Sequence, residues 1–476
     1  MDQAAEVESI RSTVAKHFIV YDVRASYDSV SMFITPDKSV LEARFEELRK
    51  EMAAKGFIPI LEYQGGEYQI SVVRKPPAVT RRPWINLVLL VITAGTTILA
   101  GAFLWAGYNF SDSLMTVDNF LYGSLFFALP LLTILGVHEL SHYMMSKRYG
   151  VDASLPYFIP SIPPLGTFGA FISMRDPMPN KKALVDIGFA GPLGGLLVTI
   201  PVAIIGLILN AQGIPHPGIP PGGETAISNP LFYQLMAYII PSPEGVYIHP
   251  TAFAAWVGFF VTAINLLPAG QLDGGHIARG LLGDKAMYLS IGTIMVLFVL
   301  GIFYSGWFLF AILIVFLGVR HPAPLNDVSR LDIKRTSVGV VALILLVGCF
   351  VLVPLSEVPV TDTFEIDLVS DNSTTVVAGS MALFYFNVTN TGSVNITVQL
   401  DVHQMPANWS AVLFEADQNS SDATSTLVLS IPYGDHAAVA MRVAVPADES
   451  AITRVIVLQG SSFDTDASKQ FTINVA

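Results

Sequence analysis

The middle of the chain is a succession of apolar stretches, at about 84–108, 120–146, 184–209, 251–268, 286–304, 305–320 and 335–355. About 20 apolar residues suffice for a helix to cross a bilayer, so this pattern predicts an α-helical polytopic membrane protein of about seven spans. The fifth and sixth stretches nearly merge through Tyr304-Ser305-Gly306-Trp307, which reads as a tight turn between two short spans. The two ends of the chain follow other periods. In residues 1–80, alternating runs near 17–25, 28–34, 57–63 and 67–74 surround a stretch from Ser39 to Lys55 in which Leu41, Phe45, Leu48 and Met52 recur at helical spacing. That is the pattern of a small α+β domain. Residues 356–476 show short alternating strands, such as 381–388, 394–402, 425–431 and 437–444, broken by Gly, Asn, Pro and Asp as in a β-sandwich. The expected organisation is therefore an α+β domain (1–80), a membrane core (84–320), one additional span (335–355) and a β-sandwich (356–476).

Composition removes the soluble alternatives. Of 476 residues, 52% are hydrophobic and 13% charged, and the mean hydropathy is +0.55, too apolar for an ordinary soluble domain. The lipid bilayer is thus an expected partner. The single cysteine, Cys349, excludes an internal disulfide and a thiol-rich metal cluster, so any metal site must use His and carboxylate ligands.

Charge orients the spans. Arg74, Lys75, Arg81 and Arg82 precede the first, Lys147 and Arg148 follow the second, and Lys181 and Lys182 precede the third. Arg279 and Lys285 lie between the fourth and fifth, and Arg320, Arg330, Lys334 and Arg335 between the sixth and seventh. With seven spans all these clusters fall on one side, which the positive-inside rule makes cytoplasmic. The start, MDQAAEVESI, is unlike a signal or transit peptide and is expected to stay in the cytoplasm. The tail, with 14 acidic residues against Arg442, Arg454 and Lys469, is expected outside the cell membrane and excludes nucleic-acid binding. Its acceptor sequons at Asn372, Asn387, Asn395, Asn408 and Asn419 fit that placement.

Chemistry enters at His138-Glu139-Leu140-Ser141-His142. A HExxH motif on a helix sets two imidazoles four residues apart on one face, where both can ligate one zinc, with the glutamate beside them as base. Ionisable groups at membrane depth are costly and by default functional. A catalytic zinc needs a third protein ligand, and Asp273 is the candidate. It lies in Asn265-Leu-Leu-Pro268-Ala-Gly-Gln-Leu-Asp273-Gly274-Gly275-His276, where a span ends in a Pro/Gly-broken segment. Both His142 and Asp273 lie about five residues from the inner end of a span, on one side of the membrane. Gly188, Gly191, Gly194 and Gly195 are expected to pack a helix closely against the catalytic one. His276 reads as a cytosolic surface histidine, His216 and His249 as surface histidines of the exterior loop. The short apolar piece Leu231 to Ile240 is expected in the membrane interface.

HELSH within a transmembrane segment, followed by NLLPAGQLDGG, resembles the site-2 protease family of intramembrane zinc metalloproteases. Leu165–Ala170 and Gly188–Pro192 resemble it too, and the wording is nearest to the ethylene-dependent-gravitropism-deficient branch and its prokaryotic relatives. The resemblance covers about residues 84–320. It implies one zinc held by His138, His142 and Asp273, Glu139 as catalytic base and then acid, and Asn265 as a catalytic residue that helps hold the substrate or the oxyanion. Transmembrane protein substrates, cut near the cytoplasmic side in regulated intramembrane proteolysis, follow from it. Gly166, Thr167, Phe168 and Gly169 suit either a sheet edge that binds an unwound substrate strand or a simple turn before Ile172. Two other classes compete. A membrane chaperone or adaptor would keep the fold without needing Glu139, and a metal-ion transporter calls for polar residues along several spans.

Overall fold

In the computed structural model, helices α1 (Gln3–Ala15) and α2 (Leu41–Ala54) cover a four-stranded antiparallel sheet of β1 (Ile19–Ala25), β2 (Ser29–Thr35), β3 (Phe57–Gln64) and β4 (Glu67–Arg74), in the order β1-β2-β4-β3. The inward positions of α2, Leu41, Phe45, Leu48 and Met52, meet Met32, Ile34, Leu61, Ile70 and Val72 of the sheet. Each such fully buried side chain contributes about 1.5–3 kcal/mol. The description covers all residues except 1–2, 27–28, 77–81, 112, 214–223, 244–245, 359–360, 417–423 and 464. Arg81, His216 and Asn419 lie outside the described residues.

The helical core follows. Helix α3 (Pro83–Tyr108) begins with proline, whose missing N–H costs nothing in a first turn. Helix α4 (Val117–Gly123) runs through a π turn at Ser124–Ala128 into α5 (Leu129–Arg148). Pro130 of α5 cannot donate to the carbonyl of Phe126, and the Thr251 hydroxyl donates to it instead at 2.8 Å. A two-stranded hairpin, β5 (Tyr157–Pro160) with β6 (Thr167–Phe171), precedes α6 (Lys181–Ala211), whose first turn is capped by Asn180. After β7 (Glu224–Ile227) come α7 (Leu231–Ile239), α8 (Pro250–Leu266), α9 (Asp273–Leu282), α10 (Ala286–Leu300), α11 (Gly306–Leu317) and α12 (Ile333–Cys349).

Four stretches among the described residues are long and apolar enough to cross a membrane: Pro83–Tyr108, Val117–Arg148, Lys181–Ala211 and Asp273–Leu300. The expected count was about seven. Helices α8 and α11 are apolar but have 17 and 12 residues. At 1.5 Å per residue they reach about 26 and about 18 Å, short of a hydrocarbon core of about 30 Å. The stretch expected at 286–304 is fused to α9 through a 3₁₀ turn, which lengthens it to 28 residues. Helix α7 packs Tyr233 into a cluster with α6 and α8 while Tyr238 and Ile239 stay exposed.

A second compact unit comprises residues 215–227 and 355–476. Strand β7 pairs antiparallel with β8 (Leu355–Val358). The remaining strands are β9 (Phe364–Leu368), β10 (Ser373–Val376), β11 (Met381–Asn390), β12 (Ile396–His403), β13 (Ser410–Glu415), β14 (Thr426–Ile431), β15 (His436–Ala444), β16 (Ile452–Ser461) and β17 (Asp466–Val475). They form two sheets, β10-β17-β16-β12-β14 and β13-β15-β11-β9, with Phe384, Phe386, Phe471 and Trp409 in the core between them.

Candidate metal centre

Helix α6 is the backbone against which the site is built. It packs on α5, α8 and α9, and its glycine face lies on α5. A Cβ on Gly191 would stand 2.0 Å from Nε2 of His142, and one on Gly195 would stand 3.1 Å from Nδ1 of His138. The absence of a side chain at these positions lets the imidazoles occupy the helix–helix interface. A Cβ on Gly188 would meet His276 and the Asp273 carbonyl of α9 at 2.7 and 3.0 Å, so the same face also admits α9.

These contacts bring His138 and His142 of α5 to Asp273, the first residue of α9. Nε2 of His138, Nε2 of His142 and Oδ2 of Asp273 are each 3.2 Å from the other two. His138 and His142 are buried, and Asp273 nearly so. The orientation of His142 is fixed by its other ring nitrogen: Nδ1 donates to the carbonyl of Ile187 at 2.8 Å. In the neutral ring that metal ligation requires, its Nε2 is then a bare acceptor facing a carboxylate oxygen, also an acceptor. Two acceptors at that separation in a buried site call for a cation. Tetrahedral zinc with bonds of about 2.0–2.1 Å sets its ligand atoms about 3.3 Å apart, so the observed triangle fits such an ion. These are the one group of three or more His, Cys, Asp or Glu among the described residues close enough to hold a metal.

Glu139 is buried beside the triangle, and the backbone N–H of Ile172 is directed at its carboxylate. Asn265, the penultimate residue of α8, has Nδ2 3.4 Å from Nε2 of His138. Ile172 directly follows β6, so the hairpin ends at Glu139. Of the four residues expected at the sheet edge, Gly166 and Thr167 are buried, Gly169 is half-buried and Phe168 is 77% exposed. Thr167 serves the hairpin itself: its hydroxyl donates to the Ile159 carbonyl at 2.9 Å and accepts the Gly169 N–H at 3.0 Å. Among the described residues β6 pairs with β5 alone.

Two histidines differ from expectation. His276 is half-buried, not a free surface residue, and its Nδ1 lies 2.9 Å from Nε2 of His321. The i,i+3 spacing from Asp273 on one helix was the signal for its place near the site; nothing in the pattern pointed to His321. His249, expected on the surface, is 3% exposed because the rings of Trp105, Tyr108 and Phe126 enclose it, and its Nδ1 caps α8 by accepting from the Thr251 N–H. The Ile187 carbonyl and the Ile172 amide also escaped sequence reasoning, because backbone groups leave no mark on residue type.

Comparison with known proteins follows the same lines. Residues 126–305 match Peptidase family M50. The chain is 34% identical over 235 residues to the probable zinc metalloprotease EGY1, chloroplastic, of Arabidopsis thaliana, across 46% of this chain and 42% of that protein. It is 29% identical over 245 residues to the probable zinc metalloprotease EGY2, chloroplastic, of the same plant, across 49% and 43%. With EGY2 of Oryza sativa subsp. indica the identity is 31% over 247 residues, 51% of this chain and 44% of the other. The matched stretch thus spans less than half the length of these relatives. The metal they imply is zinc, which the donor set of His138, His142 and Asp273 suits.

Proposed function

Because residues 126–305 match Peptidase family M50, we propose that this chain is a zinc-dependent endopeptidase that hydrolyses peptide bonds in transmembrane segments of other membrane proteins, close to the cytoplasmic face. The observation that carries the reading is the buried 3.2 Å triangle of His138, His142 and Asp273, set beside Glu139 between helices long enough to cross a membrane.

His138, His142 and Asp273 would hold the zinc. When bound, it polarises a scissile carbonyl and acidifies a water. Glu139 takes the proton from the attacking water and returns it to the leaving amine. Asn265 donates its side-chain amide to the developing oxyanion, adding no net charge to an apolar site. A substrate helix must unwind before hydrolysis, because its backbone is already paired with itself. The free edge of β6 offers the unwound strand backbone partners and leads it to Glu139 at Ile172, with exposed Phe168 as a side-chain contact. Substrates with helix-weakening residues in their spans are therefore favoured.

The same reading gives orientation. Lys182 donates to Glu42 of α2 at 2.8 Å, and Lys75 pairs with Asp176 at 2.8 Å, so the basic residues before α3 and in the first turn of α6 lie with the N-terminal domain. The positive-inside rule makes that end cytoplasmic, and the tail is exterior where the shorter helices α8, α11 and α12 complete the crossings to about seven.

The test is cleavage of a reconstituted membrane protein with a helix-weakened span by the native chain, by Glu139→Gln and with a zinc chelator. Cleavage by the native chain alone, with zinc retained in Glu139→Gln, is expected. Equal cleavage by both proteins would refute the assigned base.

A further inference from the structure

The segment from Leu317 to Asp327, between α11 and α12, touches the Asp273 helix along its length. At the loop before α9, the Gln271 side-chain amide donates to the Leu317 carbonyl at 2.8 Å, and Gly270 lies so close that a Cβ there would stand 2.6 Å from the Gly318 oxygen. In the first turn of α9, His276 meets His321 at 2.9 Å. In the second turn, Arg279, 3% exposed, grips both carboxylate oxygens of Asp327 at 3.1 and 2.9 Å. A buried bidentate pair of this kind fixes position as well as charge.

The other edge of the segment is built into the N-terminal domain. Leu61 of β3 donates its N–H to the Leu325 carbonyl at 2.7 Å, and the Asp327 N–H donates to the Leu61 carbonyl at 3.2 Å. The Leu325 side chain completes the hydrophobic core between α2 and the sheet. Its far side pairs with the residues that start α6: the Leu325 and Asn326 N–H groups donate to the carbonyls of Met178 and Pro179 at 2.8 and 3.0 Å. Cavities of about 540 and 360 Å³ open on either side, the first lined by Glu42, Arg49 and Asn326, the second by Glu62, Tyr68 and Asp327. The segment thus bonds to the N-terminal domain on one edge and to α9 on the other.

We propose that residues 317–327 are a strap through which the N-terminal domain sets the position of Asp273, with Asp327 and Arg279 as the positioning pair. The proposal rests on the metal-centre reading above. A helix is stiff over two turns, so a displacement at Arg279 is delivered to Asp273 at its start. Metal–ligand distances tolerate about 0.2 Å, so a slight movement of the strap loosens the third ligand while His138 and His142, held by α5 and α6, stay in place. A partner or small ligand that enters either cavity and displaces β3 from Leu325 then lowers metal affinity without touching the site.

The experiment is chelator competition for zinc on the full-length protein in detergent, together with the visible spectrum of the cobalt-substituted form. Asp327→Asn is expected to weaken metal affinity tenfold or more and to alter the cobalt bands, Asp327→Glu to restore both, and Asp284→Asn, which removes an exposed partner of Arg279, to leave both unchanged. Arg279→Lys keeps the charge while losing the two-point grip, and a threefold or greater weakening is expected even if Asp327→Asn fails to fold. Native affinity and an unchanged spectrum in a folded Asp327→Asn or in Arg279→Lys would overturn the strap and leave the metal centre standing. A native chain that takes up no zinc would overturn both.

Discussion

Gly191 and His142 are locked together across the interface of α5 and α6: a single added carbon at Gly191 would stand 2.0 Å from the nitrogen that faces Asp273. The ring cannot stay where its Nδ1 bond to Ile187 holds it and also clear that carbon. Gly191→Ala should therefore weaken zinc binding by about tenfold or more, the range seen when the support of a ligand is lost. Gly95→Ala, where a Cβ meets nothing within 4 Å, is the matched control. Metal content of the two purified variants decides; equal zinc would show that α6 yields easily.

Asp273→Ala should abolish stoichiometric zinc, because it removes one corner of the triangle and leaves two neutral imidazoles. Full occupancy in that variant would take Asp273 out of the ligand set.

Asn265→Ala should separate binding from chemistry. Its amide sits 3.4 Å from Nε2 of His138, beside the triangle but outside it. Zinc should be retained while kcat falls by about 10²–10³, the usual cost of an oxyanion donor. Loss of zinc in step with activity would recast Asn265 as a support for His138.

Acid should destabilise the fold through His249. Burial lowers its imidazole from 6.5 to about 4, and its Nδ1 must be bare to accept from the Thr251 N–H. Since the folded value lies below the unfolded one, the unfolded chain binds the proton first. The stability contributed is complete above pH 6.5 and is lost as the pH falls through that value toward about 4. The melting temperature should drop across this window in the native chain and less steeply in His249→Gln; parallel profiles would assign the drop to other groups.

Removal of residues 361–476 should leave zinc content intact. Those residues belong to the second compact unit, and the cut spares the pairing of β7 with β8. If zinc is lost on truncation, the tail is part of the core. A cysteine placed beside Asn408 should react with an impermeant reagent in intact cells, and protection until lysis would reverse the orientation.

What the sequence could carry was local, or rested on a cost that one residue imposes by itself. The i,i+4 spacing of His138 and His142 needs only a helix to put both on one face, and the alternation of residues 57–63 and 67–74 needs only a turn to make β3 and β4. The closeness of Asp273 to His142, 131 residues away, was legible because an aspartate expected at membrane depth calls for a cation wherever it stands. The tertiary structure decided what depends on two backbones meeting. It turned His142 through the Ile187 carbonyl and enclosed His249 in three aromatic rings. It fused α9 and α10 into one long helix and joined Leu325 to Leu61, 264 residues before it. Such contacts use backbone groups and packing against distant segments, and neither leaves a periodicity for a sequence to display.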